Sequence, residues 1–174
     1  MKKKKKILIA AAILLVVLGV VGSSSLVVTR QNEYTVIRQF GKVTDIRSTA
    51  GLSLKIPFVQ TASTVPNTVL LYDLPLSDVI TQDKKTMVAD SFVLWKIRDP
   101  QRFIQTLNGQ MNNAEARLST IVYNSMKNVI SSMPQSAVIS GRDGELADAI
   151  KEGVGDTLDQ YGIELIAVET KHLD

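Results

Sequence analysis

Histidine occurs once in the 174 residues, at His172, and cysteine does not occur. A thiolate nucleophile, a disulfide, thiolate metal ligation and cysteine-linked acylation are therefore all excluded. One histidine two residues from the end supports neither a His-based metal cluster nor a Ser-His pair. The remaining nucleophile candidates are Ser91 and Ser125, each of which would need a lysine to take the hydroxyl proton. Ser91 interrupts an alternating apolar strand face, and Ser125 lies in an apolar helical stripe, where a packed hydroxyl is the better account. No third, orienting group accompanies either. Asp90 would serve as an acid, or as a partner for Lys96 across a strand face; a solvated or salt-bridged residue is the plainer reading. Asp73, Asp78 and Asp83 have the spacing neither of an EF-hand loop nor of a carboxylate pair. Trp95 falls on the core side of its strand and reads as packing rather than as a ligand platform. No catalytic, cofactor-binding or metal-binding residue is expected, and the chain reads as no enzyme.

The elements that carry these residues begin with an apolar run. Ile7 to Val21 contains no polar side chain, and eleven of its fifteen residues are Ile, Leu or Val. Extended to Val28 it gives twenty-two uncharged residues, about 33 Å as a helix and sufficient for one bilayer crossing. Lys2 to Lys6 precede it, and by the positive-inside rule they stay in the cytoplasm and send the rest outward. A cleaved signal peptide is the rival reading, since small residues at Gly22 to Ser25 fit a cleavage site. Both readings put the body outside the cytoplasm. The division expected is 1–28 as lysine run and anchor, and 29–174 as one domain. The formal charge of +3 owes five of its 20 bases to the lysine run. The remainder has 15 bases against 17 acids, so nucleic acid is not an expected partner.

In the body, Glu33 to Val43 reads as a strand that Gly41 breaks. Leu52, Leu54 and Ile56 form a second run, closed by Pro57. Val69 to Leu76 makes a third between Pro66 and Pro75. Thr86 to Arg98 is the clearest strand, with Met87, Ala89, Val93, Trp95 and Ile97 on one face. Helical spacing then takes over. Asp99 and Pro100 suit a cap and a first turn for a helix ending at Leu107. Asn112 and Glu115 have capping-box spacing ahead of a stripe from Leu118 through Val122, Met126 and Ile130 to Met133. Pro134 stops it. Ser140 and Asp143 are expected to open a third helix through Leu146, Ile150, Val154, Leu158 and Tyr161, which Gly162 ends in a left-handed conformation. Ile163 to Thr170 alternates as a last strand. The order predicts an α+β fold, a largely antiparallel sheet covered by helices.

Four segments in order resemble one family. "EYTVIRQFGKV" resembles the opening strand of the SPFH, or band-7, domain shared by stomatins, prohibitins, flotillins and the HflK/C group. "GLSLKIPFV" is similar to its Gly-Leu-apolar-Lys-Ile-Pro-Phe segment, "TQDKKTMVADSFVLWKIRDPQRF" to its central hairpin, and "YGIELIAVETKHLD" to its last helix end and strand. Together they cover about Val27 to Asp174. Asn32 stands where the family often has Gly, and Asn tolerates positive φ; Ala50 stands where a Pro often precedes the Gly-Leu pair. Only six residues precede Ile7, which places the chain nearest the bacterial HflC type. The resemblance implies a non-catalytic, membrane-anchored scaffold without cofactors. Its implied partners are an HflK-like SPFH protein, an FtsH-type membrane AAA protease and the lipid bilayer. It also implies that a long charged helix follows the last strand and builds the oligomer, so the chain is expected to be a fragment or truncated product.

Leu52 to Val59 is the stretch where two accounts compete. Leu52, Leu54, Ile56, Pro57 and Phe58 make either a candidate membrane contact beside the anchor or a buried core strand. An anchored or secreted extracytoplasmic ligand-binding domain is the alternative function.

Overall fold

The computed structural model describes the backbone of residues 2–141 and 144–173, and all side chains in these ranges except those of residues 2–12, 17, 172 and 173. The fold is α+β, and its chain divides into two units, Met1–Val65 and Pro66–Asp174. The first begins with helix α1, Lys2–Ser25, which runs straight into strand β1, Leu26–Thr29. Among the described residues no helix is long and apolar enough to cross a membrane. Much of the anchor read from sequence, the side chains of residues 2–12 and 17, lies outside that description.

Five strands make the rest of this unit: β1, β2 (Glu33–Gln39), β3 (Lys42–Arg47), β4 (Gly51–Leu54) and β5 (Gln60–Pro66). They form a β1–β4 ribbon and a three-stranded β3–β2–β5 sheet. The expected single strand Glu33 to Val43 is instead a hairpin. Gln39 pairs with Lys42, and the two residues between them, Phe40 (φ 49°) and Gly41 (φ 82°), take the positive φ that a tight type I′ turn needs. Lys42 and Val43 thus belong to the return strand. Asn32 (φ 65°) holds the left-handed position that its tolerance of positive φ suggested. The small core collects Val27, Val36, Ile37 and Val65, with Thr29 bonded to Thr35 at 2.9 Å.

The second unit is built on β8, Thr86–Ile97, whose even alternation buries Met87, Ala89, Ser91, Val93, Trp95 and Ile97. Strand β9, Ile163–Leu173, pairs along one edge of it, running three residues beyond the expected end. The other edge is shared by β6 (Leu70–Asp73) and β7 (Ser77–Ile80). The reading Val69 to Leu76 therefore merged one strand with a connector and missed β7. Helices α2 (Pro100–Leu107) and α3 (Met111–Ser131) follow. Asp99 caps α2 as expected, its carboxylate accepting from the Arg102 amide at 3.0 Å. The Asn112–Glu115 capping box does not form. The N-cap of α3 is Gln110, two residues earlier, and it makes no side-chain cap hydrogen bond.

Between Pro134 and Glu145 stands a short helix, α4 (Gln135–Ser140), that the sequence did not announce; Ser140 ends it rather than opening the next. Asp143 lies outside the described residues. The third expected helix is α5 (Glu145–Val154) followed by a 3-10 turn, Gly155–Tyr161. Gly155 (φ 50°) makes the break, and Gly162 (φ 70°) makes the left-handed end.

The β7–β8 turn explains α4. Asp83 accepts from the Gln135 amide at 3.1 Å, and the Gln82 amide donates to Met133 O at 2.9 Å. A carboxylate from elsewhere in the chain thus occupies the start of a helix whose own N-cap, Pro134, offers no side chain to do so. The hydrogen bond from Thr81 holds the Asp83 carboxyl below its ordinary range; desolvation opposes this, and the Gln135 amide adds to it. With the folded value depressed, the linked stabilisation is complete above the unfolded value of about 3.9 and is lost as pH falls through the folded one. The Gln135 amide resonance is expected to titrate below that pH, and Asp83→Asn to remove the step. An unchanged titration in the variant would show that another group is responsible.

Candidate functional site

The polar candidates are occupied in the packing of the fold. Ser125 on α3 donates to Ile150 O of α5 at 2.7 Å, and its hydroxyl lies where a Cβ on Gly153 would stand, 2.4 Å away. It fastens α3 to α5 where Gly153 leaves room for it. Ser91 is buried on the core face of β8, and its Oγ has no partner among the described residues. Asp90 does not pair with Lys96. Lys96 bridges to Glu164 on β9 at 3.3 Å, whereas Asp90 faces Lys171 at 3.5 Å. Lys171 also bonds Asp73, and that hydrogen bond, offset in part by desolvation, raises its pKa. Its place between two carboxylates follows from a β-bulge: Asp90 pairs with His172 and Ser91 with Thr170, so Lys171 is the extra residue. The three spaced acids never converge, since Asp73 goes to Lys171, Asp83 to Thr81 and Gln135, and Asp78 is exposed on β7. Among the described residues no cluster is suited to a metal. The His172 side chain lies outside them. Trp95 is fully buried, as its strand position predicted.

The apolar stretch behaves differently. β4 pairs with β1 so that Leu54 stands opposite Leu26, and Leu52 opposite Val28. Residues directly opposite in an antiparallel pair share a face. Here that face is open to solvent: Leu52 is 74% exposed, Leu54 73%, Val28 60% and Leu26 54%. Val27 and Thr29 take the buried side. A core-strand role for Leu52 and Leu54 does not survive this register. Ile56 and Phe58 extend the patch through the turn after β4, Phe58 with 90% of its surface exposed. Gln60 closes the turn twice, its amide donating to Ile56 O at 2.9 Å and its side chain accepting from the Ile56 amide at 2.8 Å. Pro57 lies within it, half-buried.

Phe40 joins this patch. The Gln60 side chain reaches Gln39 at 3.5 Å, setting the β2–β3 turn beside the turn that carries Phe58. Phe40 is 85% exposed. Both phenylalanines have positive φ, 49° and 67°. A left-handed bulky residue costs on the order of 1–3 kcal/mol, and neither ring recovers it by burial within the chain. Sequence reading passed over Phe40 by placing it inside a strand. The signal was the Phe-Gly pair at the turn, whose first central position points away from any core. The patch lies at the α1 end of the unit, where the Lys55 amide donates to Ser25 O, the last residue of α1, at 2.8 Å.

The sequence pattern of the SPFH domain / Band 7 family matches residues 27–174, all but the first helix. The chain belongs to that family. It is similar to Protein HflC of Haemophilus influenzae, 29% identical over 161 residues, covering 87% of this chain and 55% of that protein. To Protein HflC of Buchnera aphidicola subsp. Schizaphis graminum it is 23% identical over 173 residues, covering 87% and 56%. To the protein named modulator of FtsH protease HflC in Escherichia coli K12 it is 26% identical over 147 residues, covering 78% and 44%. The chain spans about half the length of these curated relatives.

Proposed function

We propose that this chain is a non-catalytic scaffold of HflC type, held at a membrane by α1 and by the apolar tip of its strand unit. On this reading it assembles with an HflK-like SPFH protein and modulates an FtsH-type protease. The observation that carries it is the tip itself. Leu26, Val28, Leu52, Leu54, Ile56, Phe58 and Phe40 are exposed at the end of the unit where α1 joins, two of them in strained conformations that no internal contact rewards. A bilayer rewards both, since burying a phenylalanine gains about 1.5–3 kcal/mol. Ile13 to Val16 and Leu18 on α1 are likewise exposed around the helix, as a lipid-facing span would be. The lysine run supports a direction with the N-terminus in the cytoplasm and the body outside.

Support for the scaffold role comes from the family and from a relative whose name states modulation of the FtsH protease. The absence of catalysis is supported by the placement of Ser125, Asp73, Asp83 and Asp90 in packing and ion pairs. Oligomerisation with the HflK-like protein is part of the same proposal. The test is co-expression of the chain alongside an HflK-like protein and an FtsH-type protease. In mild detergent the three are expected to migrate as one large assembly, with slower turnover of a membrane substrate than for the protease alone. A chain that migrates alone and leaves turnover unchanged would overturn the reading.

A further inference from the structure

The weak net charge of the body conceals a division. Residues 26–65 carry five bases and two acids, a net of +3, whereas residues 66–174 carry ten bases and fifteen acids, a net of −5. The unit that bears the apolar tip is thus the basic one. Most of its cations are also unengaged. In the second unit, whose acids outnumber its bases, Lys85, Lys96, Arg102 and Lys171 lie within ion-pair distance of a carboxylate, while among the described residues Lys84, Arg98, Arg117, Lys127 and Lys151 do not. In the first, among the described residues, only Arg47 does, to Asp45 at 2.6 Å. Arg38, Lys42 and Lys55 have no carboxylate partner among the described residues. Arg38 donates one guanidinium nitrogen to Ser63 Oγ at 3.2 Å, and its Nε is buried with no partner among them.

These three cations stand around the tip. Lys55 is half-buried between exposed Leu54 and Ile56. Lys42 is exposed directly opposite Gln39, one residue past the Phe40–Gly41 turn. Arg38 lies next along β2, opposite Val43. We infer that the strand unit selects anionic phospholipid: the tip enters the acyl boundary while Lys42, Lys55 and Arg38 hold headgroup phosphates. This rests on the membrane contact proposed above and adds the class of lipid. An aliphatic stem lying on apolar surface with its ammonium at headgroup level is the usual disposition of lysine at such a boundary. Arginine without a carboxylate offers several donors to a phosphate. Three cations near an anionic surface correspond to roughly a 10²-fold preference over a neutral one at low salt. Salt reduces that preference, because the surface potential decays within a Debye length.

The absence of native cysteine permits a direct test on the full chain. An environment-sensitive fluorophore on Leu52→Cys reports whether the tip is in water or lipid. Reconstitution is into phosphatidylcholine vesicles with and without a third of phosphatidylglycerol. The expected result is a blue-shifted, quencher-protected probe with phosphatidylglycerol, reverting toward water-like emission without it and at high salt. Lys42→Gln with Lys55→Gln should cut the lipid dependence to the roughly fivefold that Arg38 alone supplies, while Arg47→Gln, whose charge Asp45 already engages, should keep it. Equal protection in both vesicles would overturn the lipid selectivity and leave the membrane contact standing. A water-like probe in both would overturn the contact itself. A lipid dependence unchanged by the double lysine variant would overturn the assignment to these residues.

Discussion

Trp95→Ala is expected to destabilise the second unit by about 3–5 kcal/mol, the usual range for emptying a buried aromatic site. The residue sits at the centre of the unit's sheet. Leu70 pairs with it from β6 on one side and Leu165 from β9 on the other, and the side chain is almost wholly shielded from solvent. A second bulge falls beside it: Leu94 pairs with Ala167 and Trp95 with Leu165, leaving Ile166 over. Lys151 from α5 donates to the freed Ile166 carbonyl at 2.7 Å. Collapse around a vacant indole site would have to move this tied backbone, so little relaxation is expected. Its indole Nε1 has no hydrogen-bond partner among the described residues. Trp95→Phe should therefore cost far less than Trp95→Ala, because it removes an unsatisfied donor together with part of the ring. Urea unfolding followed by far-UV circular dichroism measures both, since the variants lose the only tryptophan. Equal losses for the two would mean that the N–H is satisfied and the indole specifically required. A wild-type emission maximum typical of indole in water would contradict the burial altogether.

How much of this was legible depended on whether a pattern is local. The β8 alternation was, because one face of a half-buried strand writes itself as period two, with Ser91 the one polar member of the buried set. So was the Asp99–Pro100 start of α2, whose cap bond spans three residues. Helix α4 was not. It is six residues long, buries only Val138, and is positioned by Asp83 and Lys85 from about fifty residues away. The failed capping box shows local spacing overruled by neighbours. Asn113, not Asn112, is the engaged residue, donating to Leu107 O and Gln110 Oε1 at 3.1 Å.

The candidate site was legible in composition and not in exposure. Leu52, Leu54, Ile56 and Phe58 recur at every second position, which describes a core strand and a lipid-facing ribbon equally well. Only the register with β1, putting Leu26 and Val28 on the same open face, distinguishes them. The charge division was also present in the sequence, but it becomes visible only when the chain is divided at Val65 rather than after the anchor. Averaged over the whole body it nearly cancels.

Gly162→Ala is expected to cost roughly 2–5 kcal/mol, far more than one methyl group on a surface turn. Two costs add there. The residue has φ 70°, where a Cβ is unfavourable by roughly 1–2 kcal/mol. The new Cβ would also stand 2.2 Å from Asp99 O and 2.9 Å from the Phe103 amide, both backbone atoms. Overpacking of that kind adds roughly 1–3 kcal/mol. Neither atom is free to withdraw. Asp99 O accepts from the Phe103 amide at 3.0 Å in the first turn of α2, and Gly162 O accepts from the Arg98 and Asp99 amides at 2.9 and 3.1 Å. This one glycine therefore joins the end of β8, the start of α2, the end of the 3-10 turn and the start of β9. Gly153→Ala provides the comparison. Its Cβ would meet the Ser125 hydroxyl most closely, at 2.4 Å, a group that can rotate away by giving up its bond to Ile150 O, and that glycine has no positive φ. It should cost about 1 kcal/mol, the net value of one hydrogen bond. Urea midpoints read from Trp95 fluorescence compare the two directly. If Gly153→Ala proves the more damaging, helix packing at Ser125 rather than the Gly162 junction is the tighter constraint on this unit.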